Sequence, residues 1–211
     1  MEPLRFADAM AALPLVAILR GVKPDEAVAI GEVLAAEGFR LIEVPLNSPE
    51  PLESIRRLAR ALAGRAVVGA GTVLSTANVD GVADAGGTLI VMPHTDVQVI
   101  ARAKARGLIA MPGFATPSEA FAGLNAGADA LKLFPAEASP PAVLKAMKAV
   151  LPKAVAVLPV GGIAPESMAA YVAAGAGGFG LGSALYKPGA TAAEVAARAR
   201  AFVAAWTPLR G

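Results

Sequence analysis

The chain has 211 residues, 55% hydrophobic and 17% charged, a length that suits one large core and so a single domain over 1–211. Its 19 Lys and Arg against 17 Asp and Glu leave a formal charge of +2 with no block of like charge, so nucleic acid and anionic membranes are not expected partners. No cysteine and one histidine exclude disulfides, thiol catalysis and two-histidine metal sites, and leave open only a carboxylate-rich magnesium site.

The N-terminus mixes both signs of charge without a long apolar core, so it does not read as a secretory signal, and a cytoplasmic protein is expected. Residues 4–12 form a short amphipathic helical pattern before Pro14. The run Leu15 to Arg20 is the first buried strand, and Pro24-Asp25-Glu26 opens a helix to about Glu37, with Gly38 as its stop. Arg40 to Val44 is the second strand. Ser48 is expected to cap the helix carrying Leu52, Ile55, Leu58 and Leu62. Ala66 to Ala70 is the third strand, and Leu89 to Met92 the fourth, with Thr95 as the expected cap of its helix. Leu108 to Met111 is the fifth, followed by the helix opening Thr116-Pro117-Ser118-Glu119. The sixth is Asp129 to Phe134, the seventh Val155 to Val160, with Pro165-Glu166 opening its helix, and the eighth Gly178 to Leu181. The uncharged stretch 169–186 is interrupted by Gly175, Gly177, Gly178, Gly180 and Gly182, so it reads as helix end, strand and loop rather than a membrane span. A final amphipathic helix covers about 191–205.

Eight apolar runs alternating with helices imply parallel strands with crossover connections. An open doubly wound sheet and a closed barrel both satisfy this. The count of eight favours a (β/α)8 TIM barrel with a short extra N-terminal helix.

In such barrels, functional groups sit at the carboxyl ends of the strands. Lys132 lies inside an apolar strand, where lysine is rare unless paired or used. Taken alone, it reads as a snorkelling edge residue. Glu43, equally embedded in apolar neighbours, changes the balance: opposed titratable groups in one pocket are a route to a nucleophile with a proton shuttle. Arg20 and Thr72 end the first and third strands, although a surface cation and a helix cap are the plain alternatives. Gly161-Gly162 and Gly182-Ser183 follow the last two strands, where backbone amides and a following helix N-terminus suit a phosphate. His94 reads as a loop histidine. The implied ligand carries a phosphate at one end and a carbonyl near Lys132.

The segments Glu43-Val44-Pro45-Leu46-Asn47-Ser48-Pro49, Gly69-Ala70-Gly71-Thr72-Val73, Ala130 to Pro135 and Val160-Gly161-Gly162-Ile163 resemble the 2-keto-3-deoxy-6-phosphoaldonate aldolases, a family that includes 4-hydroxy-2-oxoglutarate aldolases. The resemblance implies a metal-free, cofactor-free class I aldolase and a homotrimer. It makes Lys132 the Schiff-base lysine and Glu43 the general acid/base. Arg20 and Thr72 become substrate contacts, and Gly161, Gly162, Gly182 and Ser183 the phosphate site. Asn47, where the gluconate branch has arginine, and Val160, where it has threonine, match the galactonate branch. A valine cannot hydrogen-bond a substrate hydroxyl, so these two positions bear on specificity. An isomerase or synthase working without an imine, and a non-catalytic sugar-phosphate-binding module, are the alternatives.

Overall fold

A computed structural model describes residues 3–209. Met1, Glu2, Arg210 and Gly211, part of the expected 1–211 domain, lie outside the described residues. The chain opens with α1 (Phe6–Ala12) and β1 (Leu15–Ile18). Next come α2 (Pro24–Ala36), β2 (Leu41–Pro45), α3 (Pro51–Ala61), β3 (Val67–Gly71) and α4 (Thr76–Asp84). The middle holds β4 (Leu89–Val91), α5 (Val97–Ala105), β5 (Ile109–Met111), β6 (Gly113–Phe114) and α6 (Pro117–Asn125). The last part holds β7 (Leu131–Leu133), α7 (Pro141–Val150), β8 (Val157–Pro159), α8 (Met168–Ala173), β9 (Phe179–Leu181) and α9 (Ala192–Trp206).

All the strand pairings are parallel, and they form a curled sheet in two pieces. Six strands run β5-β4-β3-β2-β1-β9 and three run β6-β7-β8. The pieces approach at both edges: Val160 bridges Gly180, and β5 and β6 are separated only by Pro112. The single run expected at 108–111 is therefore extended and split, because proline has no N–H for the ladder. Its carbonyl still accepts from Lys132 N at 2.9 Å.

Side chains alternate along each strand with period two. Leu15, Ala17, Ile42, Val44, Leu131 and Leu133 point to the helical layer. Val16, Leu41, Val67, Leu89, Ala130 and Leu158 point the other way, into a second apolar cluster that includes Ala9 of α1. Leu4, Phe6 and Met10 pack on that cluster, so α1 covers the amino ends of the strands. Each buried Val, Leu or Ile among them contributes roughly 1.5–3 kcal/mol, and each alanine less. Among the described residues no helix is long and apolar enough to cross a membrane.

Helix ends follow local chemistry where no tertiary partner competes. Thr116 and Glu119 form a capping box for α6, and Thr191 and Glu194 do the same for α9. Two expected caps are corrected. The Ser48 hydroxyl accepts from Gly21 N at 2.9 Å, and α3 begins instead from Glu50 at φ 40°. The Thr95 hydroxyl donates to the Gly113 carbonyl at 2.8 Å, and Asp96 caps α5. In both cases a neighbouring strand end offers the hydroxyl a partner that local sequence does not reveal.

Candidate active site

The alternation that builds the core also aims two ionisable groups inward. Glu43 is out of phase with Ile42 and Val44, and Lys132 is out of phase with Leu131 and Leu133, so both face the interior of the curl. Register places Glu43 beside Ile18 and Gly69, and Lys132 beside Gly113 and Leu158. Both line a small cavity of about 10 Å³ with Val91, Met111, Leu158 and Val160.

Both are almost completely buried, Glu43 at 2% exposure and Lys132 at 6%. Burial raises the Glu43 carboxyl above its ordinary value; the nearby Lys132 and Arg20 charges pull it back. Burial likewise lowers the Lys132 ammonium; Glu43 opposes this and Arg20 adds to it. The dominant cause is therefore the same at both sites: loss of water disfavours the charged form. Glu43 Oε2 is buried without a hydrogen-bond partner. The Phe134 ring lies 4.7 Å from Lys132 Nζ and covers the amine. An amine whose neutral form is favoured by burial, beside a carboxyl with no hydrogen-bond partner, is equipped to attack a carbonyl and exchange protons.

Glycine makes the room for this pair. A Cβ on Gly71 would collide with Glu43 Oε2, and one on Gly180 would come 2.6 Å from Val160 Cγ2. The residue after Gly71, Thr72, holds φ +56°, an uncommon conformation for a β-branched residue.

Above the pair lies an open cleft of about 610 Å³. It shares Ile18 and Val160 with the inner cavity. The cleft gathers Gly161, Gly162, Gly182 and Ser183, the residues expected at a phosphate, together with Arg20, expected as a substrate contact. The amides of Gly162 and Ser183 have no protein partner among the described residues. The helix N-termini expected to follow these loops are corrected. After Ser183 the chain turns back through hydrogen bonds from Leu185 and Tyr186 N to Gly182 O. After Gly162 it makes a short 3₁₀ turn, Pro165–Ser167, before the six-residue α8. An anion entering the cleft would meet individual amides and cations rather than a helix end.

Two cleft residues were not anticipated from sequence. Lys187 supplies a second cation beside Arg20, and Glu137 supplies a carboxylate. Neither lies in an apolar strand, so no burial anomaly marks them. Asn47 and His94 are exposed, and these two and Thr72 line neither the cleft nor the inner cavity. Among the described residues no group of three or more His, Cys, Asp or Glu is placed to hold a metal ion.

An inward lysine and acid at the carboxyl ends of parallel strands, under a cleft with two cations, are the equipment of an enzyme acting on an anionic carbonyl compound. Residues 7–201 match the family model described as KDPG and KHG aldolase, and the chain belongs to that family. It is 49% identical over 195 residues to the 2-dehydro-3-deoxy-6-phosphogalactonate aldolase of Escherichia coli K12, covering 92% of this chain and 95% of that one. It is 38% identical over 149 residues to the 2-dehydro-3-deoxy-phosphogluconate aldolase of Zymomonas mobilis, covering 70% of each. A solved structure described as native KDPGal superposes with a TM-score of 0.92 at 47% identity, covering 93% of this chain and 96% of that one.

Proposed function

We propose that the protein is a class I aldolase. It cleaves 2-dehydro-3-deoxy-6-phosphogalactonate, with the gluconate epimer and 4-hydroxy-2-oxoglutarate as further candidate substrates, and releases pyruvate and glyceraldehyde 3-phosphate from the sugar acids. The observation that carries this reading is the buried Lys132 amine beside the unpaired Glu43 carboxyl, beneath a cleft holding Arg20 and Lys187.

In this reading the Lys132 amine adds to the C2 ketone, and loss of water gives an iminium. Glu43 takes the proton of the C4 hydroxyl as the C3–C4 bond breaks. The bonding electrons pass into the iminium, leaving a pyruvate enamine and the aldehyde. Protonation of the enamine at C3 and hydrolysis of the imine return pyruvate and the free amine. Lys187, Gly161, Gly162, Gly182 and Ser183 hold the phosphate, and Arg20 and Thr72 are the other substrate contacts. Asn47 is assigned no direct contact.

The frame is read as one domain, a closed (β/α)8 barrel in which β5 and β6 count as one strand broken at Pro112. The Val160–Gly180 bridge supports closure on the other side. A cytoplasmic homotrimer is part of the same reading. The exposed large hydrophobics Leu52, Leu74, Val97, Phe121 and Val150 are the candidate contacts for it. Light scattering at three times the chain mass checks that assembly.

Reduction with borohydride in the presence of pyruvate tests the chemistry. The expected result is a covalent adduct at Lys132 that disappears in Lys132→Ala. No adduct in the wild type, or an undiminished one in the variant, overturns the imine mechanism and favours the isomerase alternative.

A further inference from the structure

Among the described side chains lining the open cleft, Glu137 is the one carboxylate. It belongs to a 3₁₀ turn, Ala136–Ala138, that follows β7 and the cis peptide at Pro135. Its side chain lies against the Gly161–Gly162 turn. A Cβ on Gly161 would collide with Glu137 Oε2, and one on Gly162 would come 2.7 Å from its Cγ. Both glycines also hold left-handed backbone, φ +110° and +63°. The turn therefore needs glycine for its own conformation and for the carboxylate laid on it. Glu137 has no hydrogen-bond or ion-pair partner among the described residues.

The other polar groups facing the cleft include the cations Arg20 and Lys187 and the unpaired amides of Gly162 and Ser183. These suit a phosphate. A carboxylate does not: it repels a phosphate dianion at short range. Glu137 is exposed, so water serves its oxygens in the free protein, and a ligand that displaces that water keeps the acceptor satisfied only by bringing a donor. On the aldolase reading, the carbon adjoining the phosphate-bearing carbon carries a hydroxyl, and a hydroxyl is such a donor. Ile18 and Val160, which the cleft shares with the inner cavity, offer no side-chain acceptor.

We propose that Glu137 accepts a hydrogen bond from the C5 hydroxyl of the phosphorylated sugar acid, and so selects hydroxylated over deoxygenated aldehyde fragments. This rests on the aldolase reading. Phosphate recognition and hydroxyl recognition are then separate, one by cations and amides and the other by a single acid.

The test is run in the condensation direction, with pyruvate and either D-glyceraldehyde 3-phosphate or 3-oxopropyl phosphate, which lacks that hydroxyl. The wild type is expected to favour the hydroxylated aldehyde in kcat/KM by about 10- to 100-fold, the range for a hydrogen bond to a charged acceptor. Glu137→Leu is expected to bring the ratio near one. Glu137→Gln, which keeps a carbonyl acceptor without the charge, is expected to fall between. Because the ratio is taken within one protein, a loss of folded enzyme cancels. A ratio near one in the wild type, or a ratio unchanged in Glu137→Leu, overturns the proposal. So does an equal rise of kcat/KM for both aldehydes, which would make Glu137 only a repulsive charge. Borohydride trapping of pyruvate by the wild type separates the two failures. Without trapping the aldolase reading falls, whereas trapping with an unaltered ratio removes Glu137 alone.

Discussion

The inner and outer ends of the candidate site are built on different principles. Lys132 and Glu43 sit in an apolar layer with Ile18, Val91, Met111 and Leu158, where burial favours the neutral form of each. At the outer cleft, Arg20, Lys187 and Ser183 are exposed, and a ligand there would meet backbone amides and solvated charge. Water weakens each outer interaction, so the outer end needs several of them. Exclusion of water strengthens every inner interaction, so two side chains suffice. Damage to the inner end should therefore appear mainly in turnover, and damage to the outer end mainly in binding.

The largest effect that would sharpen this contrast is at Glu43. Glu43→Gln keeps the shape and removes the proton acceptor. Steady-state cleavage assays are expected to show kcat reduced by about two to four orders of magnitude, the range for a lost general acid/base, with KM little changed. Equal losses in kcat and substrate affinity would break the distinction between the two ends.

The inner end should also respond to pH in a direction fixed by burial. Lys132 is held below its ordinary value of 10.5, so pyruvate trapping should rise about tenfold per pH unit while the ammonium dominates, and level off before 10.5. The same shift acts on stability. Between the depressed folded-state value and 10.5, the unfolded chain binds more protons, so stability rises with pH across that window. Glu43 works in the opposite sense. Its raised value means the folded chain holds the extra proton above 4.5, and stability falls as pH climbs through that window. Urea unfolding of wild type and Lys132→Met at several pH values checks the lysine part. The wild type should lose ground to the variant as pH drops from 10.5, and parallel curves would contradict the desolvation argument.

At the outer end, Arg20→Ala is expected to raise KM for the phosphorylated substrate by about one to two orders of magnitude, as for loss of one charged hydrogen bond, with kcat nearly kept. Added salt should weaken wild-type binding and narrow the gap to the variant, because Arg20 is exposed. A salt-independent KM would mean that the arginine acts inside the apolar layer through its field on Lys132 and Glu43.

The same contrast explains what could be read from the amino-acid order. A charge among apolar residues at period two is visible in sequence, and so Lys132 and Glu43 are legible there. The eight strand runs were legible for the same reason, although Pro112 divides the fifth. Glu137 and Lys187 lie in turns, where charged residues are ordinary, and their convergence depends on how loops after β7 and β9 meet across the sheet. Ser48 and Thr95 show the opposite failure: each is a good cap by type, but a distant backbone group takes its hydroxyl. The glycines at 71 and 180 carry a signal of absence. Their role appears only when Glu43 and Val160 are seen occupying the space a Cβ would need.

The smallest expected effect lies at the junction of the two ends. Val160 lines both cavities and is 7% exposed, with its Cγ2 packed over Gly180. Val160→Thr keeps the volume and exchanges one methyl for a hydroxyl. In the unliganded protein that hydroxyl is poorly hydrated, and burying it unpaired costs about 1–3 kcal/mol. A substrate whose C4 hydroxyl points toward residue 160 recovers part of that cost, and its epimer does not. The ratio of kcat/KM for the gluconate epimer over the galactonate epimer should therefore rise about tenfold, corresponding to one ordinary hydrogen bond. Thermal melting should show a modest loss of stability in the same variant, which a ratio of rate constants is insensitive to. An unchanged ratio would mean that C4 configuration is read elsewhere, by Glu43 through the proton it removes, and would move discrimination wholly into the inner end of the site.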